Sequence, residues 1–293
     1  MTNMNPAGSN HPLRGEVAKR FREVSVLAGF MDEAHFGAFA QEFLSTLSDP
    51  DKVAFLQAVQ NARIHLATLP AMADFAAEIK PVDAADVSAL IAQERFSEIF
   101  GASGYRFSWV DPKKLVAVQA FVNVQQEEVP LDEAGLLEYA LPTDWSVPVE
   151  LSFIPPLGPI YVVTSSPHLA GVQIRTDAET GNIIIQPPPH ANLVQVLQVG
   201  GRYYLRNGYH RVAGALSEGV GSIPALVVDA VQPSDVGIPT LGWGGFNGVY
   251  LAGLQRPPLV SDFKGPISVQ IRMREKRYGA SVSLQISPLN IGV

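Results

Sequence analysis

The sequence predicts an α+β chain, with a helical N-terminal region followed by a mixed sheet, short helices and a C-terminal β-hairpin. Three observations predict it. Apolar residues recur at helical spacing up to about residue 100. After Tyr105, β-branched residues and Pro/Gly punctuation take over. Between residues 194 and 230 a hairpin, a short helix and a buried strand follow one another. The 293 residues are 47% apolar and 17% charged, which is enough apolar material to bury a core and excludes general disorder. The 25 Gly and 23 Pro argue against an all-helical bundle.

In order along the chain, residues 1–12 are polar and read as a flexible tail. Residues 13–104 read as a helical region. Val17, Phe21, Val24 and Ala28 fall at helical spacing, and Phe36, Phe39, Phe43, Leu44 and Leu47 form a second stripe. Asp49-Pro50-Asp51 sets a capping carboxylate before a proline, a helix start, and Val53, Leu56, Val59, Ile64 and Leu66 follow. Asp83 to Phe100 predicts one further amphipathic helix, ended by Gly101 and Gly104.

Residues 105–232 read as the sheet-forming core. Arg106 to Val110 and Leu115 to Val124 are extended around Asp111-Pro112, and Asp132, Glu133 and Glu138 lie in a helix-like patch. Glu150 to Phe153 and Ile160 to Thr164 are short strands. Val172 to Arg175 and Asn182 to Gln186 flank a turn at Glu179-Thr180-Gly181, and Pro187 to Pro189 cannot be a central strand. Val194 to Val199 and Arg202 to Arg206 flank Gly200-Gly201, a two-residue turn suited to positive φ. Tyr209 to Glu218 is a short helix, and Pro224 to Ala230 a buried strand. Residues 233–293 are a Gly/Pro-rich extension, whose Ile267 to Arg274 and Ala280 to Ile286 predict an antiparallel hairpin.

Composition excludes several classes of function. With no cysteine there are no disulfides, thiolate metal sites or cysteine nucleophiles. A net charge of −7 counts against broad nucleic-acid binding, which needs clustered Lys and Arg. Residues 1–12 hold no secretory signal and no window approaches the ~18 apolar residues of a membrane span, so a cytoplasmic protein without a membrane partner is expected.

One segment carries chemistry. Arg202 to Asp229 delivers Asn207-Gly208 into a tight turn that opens a helix within a residue. Such a junction presents unpaired amides at the positive end of the helix dipole. Gly208 lets an anion approach the backbone, Arg211 offers a forked donor, and His210 a second contact. A purely structural turn, with a packed His210 and a solvated Arg211, is the competing reading of the same residues.

The string from Val196 to Val228, with Gly208-Tyr209-His210-Arg211, the small Ala213, Gly214 and Ala215, and then Ile223-Pro224, resembles the core of the ParB/sulfiredoxin superfamily. There a hairpin, a Gly-x-x-Arg turn, an Ala-rich helix and an Ile-Pro strand follow in order. Asp111 to Gln119 is similar to that family's opening strand with its Gln-bearing turn. The resemblance covers about 35 residues closely. It implies a nucleotide or phosphate ester (ATP, ADP or CTP, with Mg²⁺) held by Asn207, Gly208, Tyr209, His210 and Arg211, with Lys113 or Lys114 neutralising outer phosphates. It also implies phosphoryl transfer or nucleotide hydrolysis as the reaction class, with His210 and Arg211 as the catalytic pair. Sulfinic-acid reduction is excluded, because Tyr209 stands where the reductases carry their cysteine. The helix-turn-helix of the DNA-partitioning members has no counterpart in the Pro/Gly-rich C-terminal part.

Two other readings stay open. One is a non-catalytic interaction module using the N-terminal helices, whose Phe36, Phe39, Phe43 and Phe55 supply a partner groove or homodimer face. The other is a nuclease or nucleic-acid binder using Arg272, Arg274, Lys276 and Arg277. Gly242 to Gly248 is glycine-rich without the Lys-Ser/Thr of a P-loop and reads as a loop. His35, His65, His168 and His190 have no ligand-like spacing, so no metal ligands are assigned.

Overall fold

The computed structural model describes residues 21–31, 36–37, 44, 48–71, 77–101, 104–123, 128–145, 150–153, 160–164, 173–176, 183–186, 191–230, 256–274 and 278–282. The 1–12 tail, His35, Phe39, Phe43, His168, Pro187 to Pro189, His190, the Gly242–Gly248 loop, Lys276 and Arg277 lie outside them. The chain is α+β and divides into two compact units. The larger combines residues 22–144 and 191–273, and the other combines residues 1–21, 145–190 and 274–293.

In the larger unit the chain opens with strand β1 (Phe21–Val26). The helical spacing of Phe21, Val24 and Ala28 is corrected here. Val24 and Val26 share one face of the strand and are buried in the same core, and Val26 falls outside the helical spacing. Helix α1 (Asp49–Thr68) starts one residue earlier than the Asp49 cap predicts, at Ser48, whose hydroxyl accepts from the Asp51 amide. Its Phe55, Val59 and Ala62 pack with Val24, Val26, Val269 and Ile271 into one core. The 83–100 segment is two short helices, α2 (Ser88–Ile91) and α3 (Glu94–Phe100), because Gln93 is extended and recaps the chain.

The main sheet has six strands. In chain order they are β2 (Glu78–Pro81), β3 (Tyr105–Val110), β4 (Val116–Ala117), β10 (Gln195–Val199), β11 (Arg202–Asn207) and β12 (Ile223–Asp229), and their spatial order is β2-β3-β12-β10-β11-β4. β2 is a second strand within the region read as helical. β10 and β11 form the expected hairpin, with Gly200 and Gly201 at φ +57° and +80°. β12 is parallel to β10 and β11 is parallel to β4, so the sheet is mixed. Helix α4 (Glu133–Ala140) is capped by Asp132, and α5 (Tyr209–Ser217) joins β11 to β12.

The C-terminal hairpin is also corrected. β13 (Val269–Arg274) joins β1 and β5 (Phe121–Asn123) in a three-stranded sheet, because Val269 and Ile271 belong to the α1 core. β14 (Tyr278–Val282) pairs instead with β7 (Ile160–Thr164), itself paired to β6 (Glu150–Phe153). β8 (Gln173–Thr176) and β9 (Ile183–Gln186) form the antiparallel pair expected around residues 179–181. β6, β7, β8 and β9 therefore pair outside the six-stranded sheet. Among the described residues no helix is long and apolar enough to cross a membrane.

Candidate functional site

The junction between β11 and α5 is built by a left-handed glycine. Gly208 sits at φ +91°, ψ 22°, and its carbonyl accepts the first helical bond from the Val212 amide at 2.9 Å. A Cβ placed there would lie 2.8 Å from Val194 Cγ2 and 2.9 Å from Val194 Cα. The glycine is thus required both by backbone conformation and by the chain passing over Val194. Asn207 holds the turn from both sides. Its Oδ1 accepts from the Gly208 amide at 2.9 Å, and its Nδ2 donates to Ala191 O at 2.9 Å.

The three residues after the glycine diverge around the helix. Tyr209, expected at a ligand, is instead a core residue, 4% exposed. Its hydroxyl accepts from the amides of Val118 (2.6 Å) and Gln119 (3.3 Å) and donates to Leu205 O at 2.7 Å. Burial pushes that hydroxyl's pKa well up, and the two amides oppose the shift only in part. Gln119, read from sequence as part of a strand-and-turn, does meet the junction, through this contact. His210 is exposed, with Nδ1 3.1 Å from Asn123 O. A carbonyl only accepts, so Nδ1 carries a proton and Nε2 is the ring nitrogen this bond does not engage. Arg211 is half-buried and turns to another element. Its NH1 donates to Asn192 O (2.9 Å) and Asn192 Oδ1 (3.0 Å), and its guanidinium lies 5.9 Å from the Tyr139 ring centroid. Asn207 and Arg211 together therefore fasten residues 191–192 to the start of α5.

The lysines lie elsewhere. Lys113 and Lys114 form a 3-10 turn (Pro112–Lys114) capped by Asp111, whose Oδ1 accepts from the Lys113 amide. Lys113 lines a cavity of about 270 Å³ with Ala213, Leu216, Val260, Ser261, Phe263 and Lys264, one to two turns along α5 from Gly208. The structure thus brings Asn207 to His210 together at the turn, anchors Arg211 to Asn192, and puts Lys113 on a different stretch of the helix. Asn192, Asn123 and Tyr139 had no local signal, because the fold brings them to α5 from other elements.

A second polar assembly spans five strands. Glu78 accepts from Arg106 Nε (3.0 Å), Ser108 Oγ (2.6 Å) and Tyr203 OH (2.8 Å). Arg106 continues to Asp229 at 2.7 Å and to Gln198. The hydrogen bonds from Arg106 hold the Glu78 carboxyl down to about 2 against the opposing pull of burial, and they raise the guanidinium in turn. Such a carboxylate is a poor proton acceptor near neutral pH, so the row suits architecture better than acid–base work.

No family model matches the chain, and no curated protein or solved structure matches it either. Among the described residues no group of three or more His, Asp or Glu is placed to hold a metal ion.

Proposed function

We propose that this chain is a ParB/sulfiredoxin-like protein that binds a nucleotide or other phosphate ester at the first turn of α5. One observation carries the reading. The parallel strands β4 and β11 end side by side, after which one chain enters α5 at Gly208 and the other passes to β5, and His210 bridges the two at Asn123. Ligands of open sheets with parallel strands favour the carboxyl ends of strands where connections part in this way. An anion there meets first-turn amides, the positive end of the helix dipole and, when the ring carries both protons, the Nε2–H of His210. Gly208 brings no side chain of its own to cap those amides.

In this reading the doubly protonated His210 donates its Nε2–H to a phosphoryl oxygen, and phosphoryl transfer or nucleotide hydrolysis is the reaction class such a site serves. Arg211 holds the Asn192 loop and adds positive charge to the region without leaving its anchor. Among the described residues no group of three or more acidic or His side chains is placed to hold Mg²⁺.

The test is a thermal-shift and calorimetric titration with ATP, ADP, CTP, GTP and inorganic phosphate, with and without Mg²⁺. A ligand at 100 times its Kd stabilises by about 2.7 kcal/mol, a readable rise in Tm. His210→Ala weakens that ligand about tenfold. No response to any nucleotide or phosphate at millimolar concentration overturns the reading.

A second reading has its own observation. Val53, Leu56 and Ile64 are 68%, 44% and 57% exposed on the side of α1 away from Phe55 and Val59. An apolar stripe of this kind suits a protein partner or a second copy of the chain. Sedimentation of the native chain against Val53→Asp/Ile64→Asp separates the two.

A further inference from the structure

The cavity beside α5 has features of a second ligand site, independent of the first-turn reading. Tyr209, Ala213 and Leu216 follow at i, i+4 and i+7, so they share one face of the helix. His210 lies about 100° round from Tyr209 and belongs to a different face. Tyr209, one turn before Ala213, packs its ring edge-to-face on the lining residue Phe263 at 6.3 Å between centroids. The small side chain of Ala213 leaves a notch beside Leu216, and the cavity of about 270 Å³ opens there.

The facing wall is fixed before any ligand arrives. Arg256 and Asp262 pair through two bonds, at 2.7 and 2.6 Å, and Asp262 also accepts from the Leu259 amide at 2.8 Å. The Val260 amide donates to Leu115 O at 2.9 Å, and the Ala117 amide to Pro258 O at 2.8 Å. These bonds tie the Val260–Lys264 turn to the strand that follows Lys113.

The charge around the notch is unbalanced. Lys113 and Lys264 are both exposed at its edge, and neither ammonium has an ion-pair partner among the described residues. The nearby carboxylates are engaged elsewhere, Asp111 with the Lys113 amide and Asp262 with Arg256. The remaining lining (Ala213, Leu216, Val260, Phe263) is apolar, and the Ser261 hydroxyl is directed to Lys113 O at 3.4 Å.

We infer that this cavity binds a small organic anion, with a compact apolar body against Ala213, Leu216 and Phe263 and an anionic head between Lys113 and Lys264. The volume equals about nine waters and falls just below the usual range of small-molecule sites, which begins at about 300 Å³. It suits a body of one ring or a branched aliphatic group and excludes a folded peptide segment. Lysine serves a carboxylate or a phosphate equally as a point charge, so the shared requirement is one anionic head on an apolar body.

The probes are phenylacetate, phenyl phosphate and the neutral 2-phenylacetamide, titrated against the full chain by ligand-observed NMR and thermal shift. At least one anion binds tenfold or more tightly than the amide, and raising salt from 50 to 500 mM weakens it several-fold. Ala213→Leu fills the notch and costs tenfold or more, while His210→Ala leaves the affinity for phenylacetate unchanged, which keeps this result separate from phosphate-ester binding at the first turn. Should Ala213→Leu fail to fold, Lys113→Met/Lys264→Met carries the test, since both side chains are exposed. It abolishes the preference for anions and leaves the amide's affinity unchanged. Equal affinity for anion and amide, wild-type binding in the filled variant, or binding of an acidic peptide alone would each overturn the inference.

Discussion

Tyr209 and Glu78 are both centres on which several donors converge, and they work in opposite ways. Tyr209 is a neutral hydroxyl sealed in the core, taking two backbone amides and giving its proton to a third backbone group. Glu78 is a charged carboxylate at a partly open sheet face, taking its bonds from side chains. Burial raises the pKa of the first, and paired donors lower that of the second. The difference teaches where each part of the fold is vulnerable. The α5 junction fails when its packing is altered, whereas the sheet row fails when its charge is removed.

The largest effect expected is at the footing of the Tyr209 centre. Gly208→Ala must bear a left-handed backbone and a Cβ inside contact distance of Val194, costing about 2–4 kcal/mol. Urea unfolding reads this as a lower midpoint at unchanged slope. Next comes Tyr209→Phe, which keeps the ring and strands the Val118 amide and Leu205 carbonyl, for about 1–3 kcal/mol. Glu78→Gln is milder, about 1–2 kcal/mol, because the row is partly screened by solvent.

The smallest and most discriminating measurement is stability against pH. Glu78 has a folded pKa of about 2 against an ordinary 4.5. Its contribution is complete above about 4.5 and drains away as pH falls through that interval. Tyr209 has a raised pKa, so its contribution is complete below 10.0 and declines above it, as the unfolded chain ionises first. Glu78→Gln should flatten the acid limb and, because Tyr203 donates to Glu78, also shift part of the alkaline limb, whereas Tyr209→Phe should change the alkaline limb alone. If Tyr209→Phe altered the acid limb, the two centres would not be independent.

Legibility in the sequence followed the range of the interactions. The Gly200-Gly201 turn, α5 and β12 were readable because each is fixed by residues within a few positions. The short strands at residues 150–153 and 160–164 were readable for the same reason. β1 was not, since the strands it pairs with, β5 and β13, lie about 100 and about 245 residues further along the chain. The pairing of β13 and β14 with different sheets depends on strands more than 100 residues away. At the candidate site, the turn residues were legible as a group, but their directions were not. Tyr209 turns inward because Val118 and Gln119, about 90 residues earlier, present amides to it. Arg211 turns to Asn192 because the chain re-enters the unit beside α5. Nothing local marks Ser261 or Lys264 as neighbours of Lys113.

The Val194 amide donates to Ala140 O at 2.8 Å, so the chain comes back to the point it left more than fifty residues before. Residues 145–190 are therefore a guest excursion whose two doors adjoin, and the six-stranded host keeps every one of its strands without them. A short bridge from Asp144 to Ala191 should preserve the host's cooperative unfolding. The casualty would be β14, deprived of β7, which makes that strand a tenant of the guest rather than of the host.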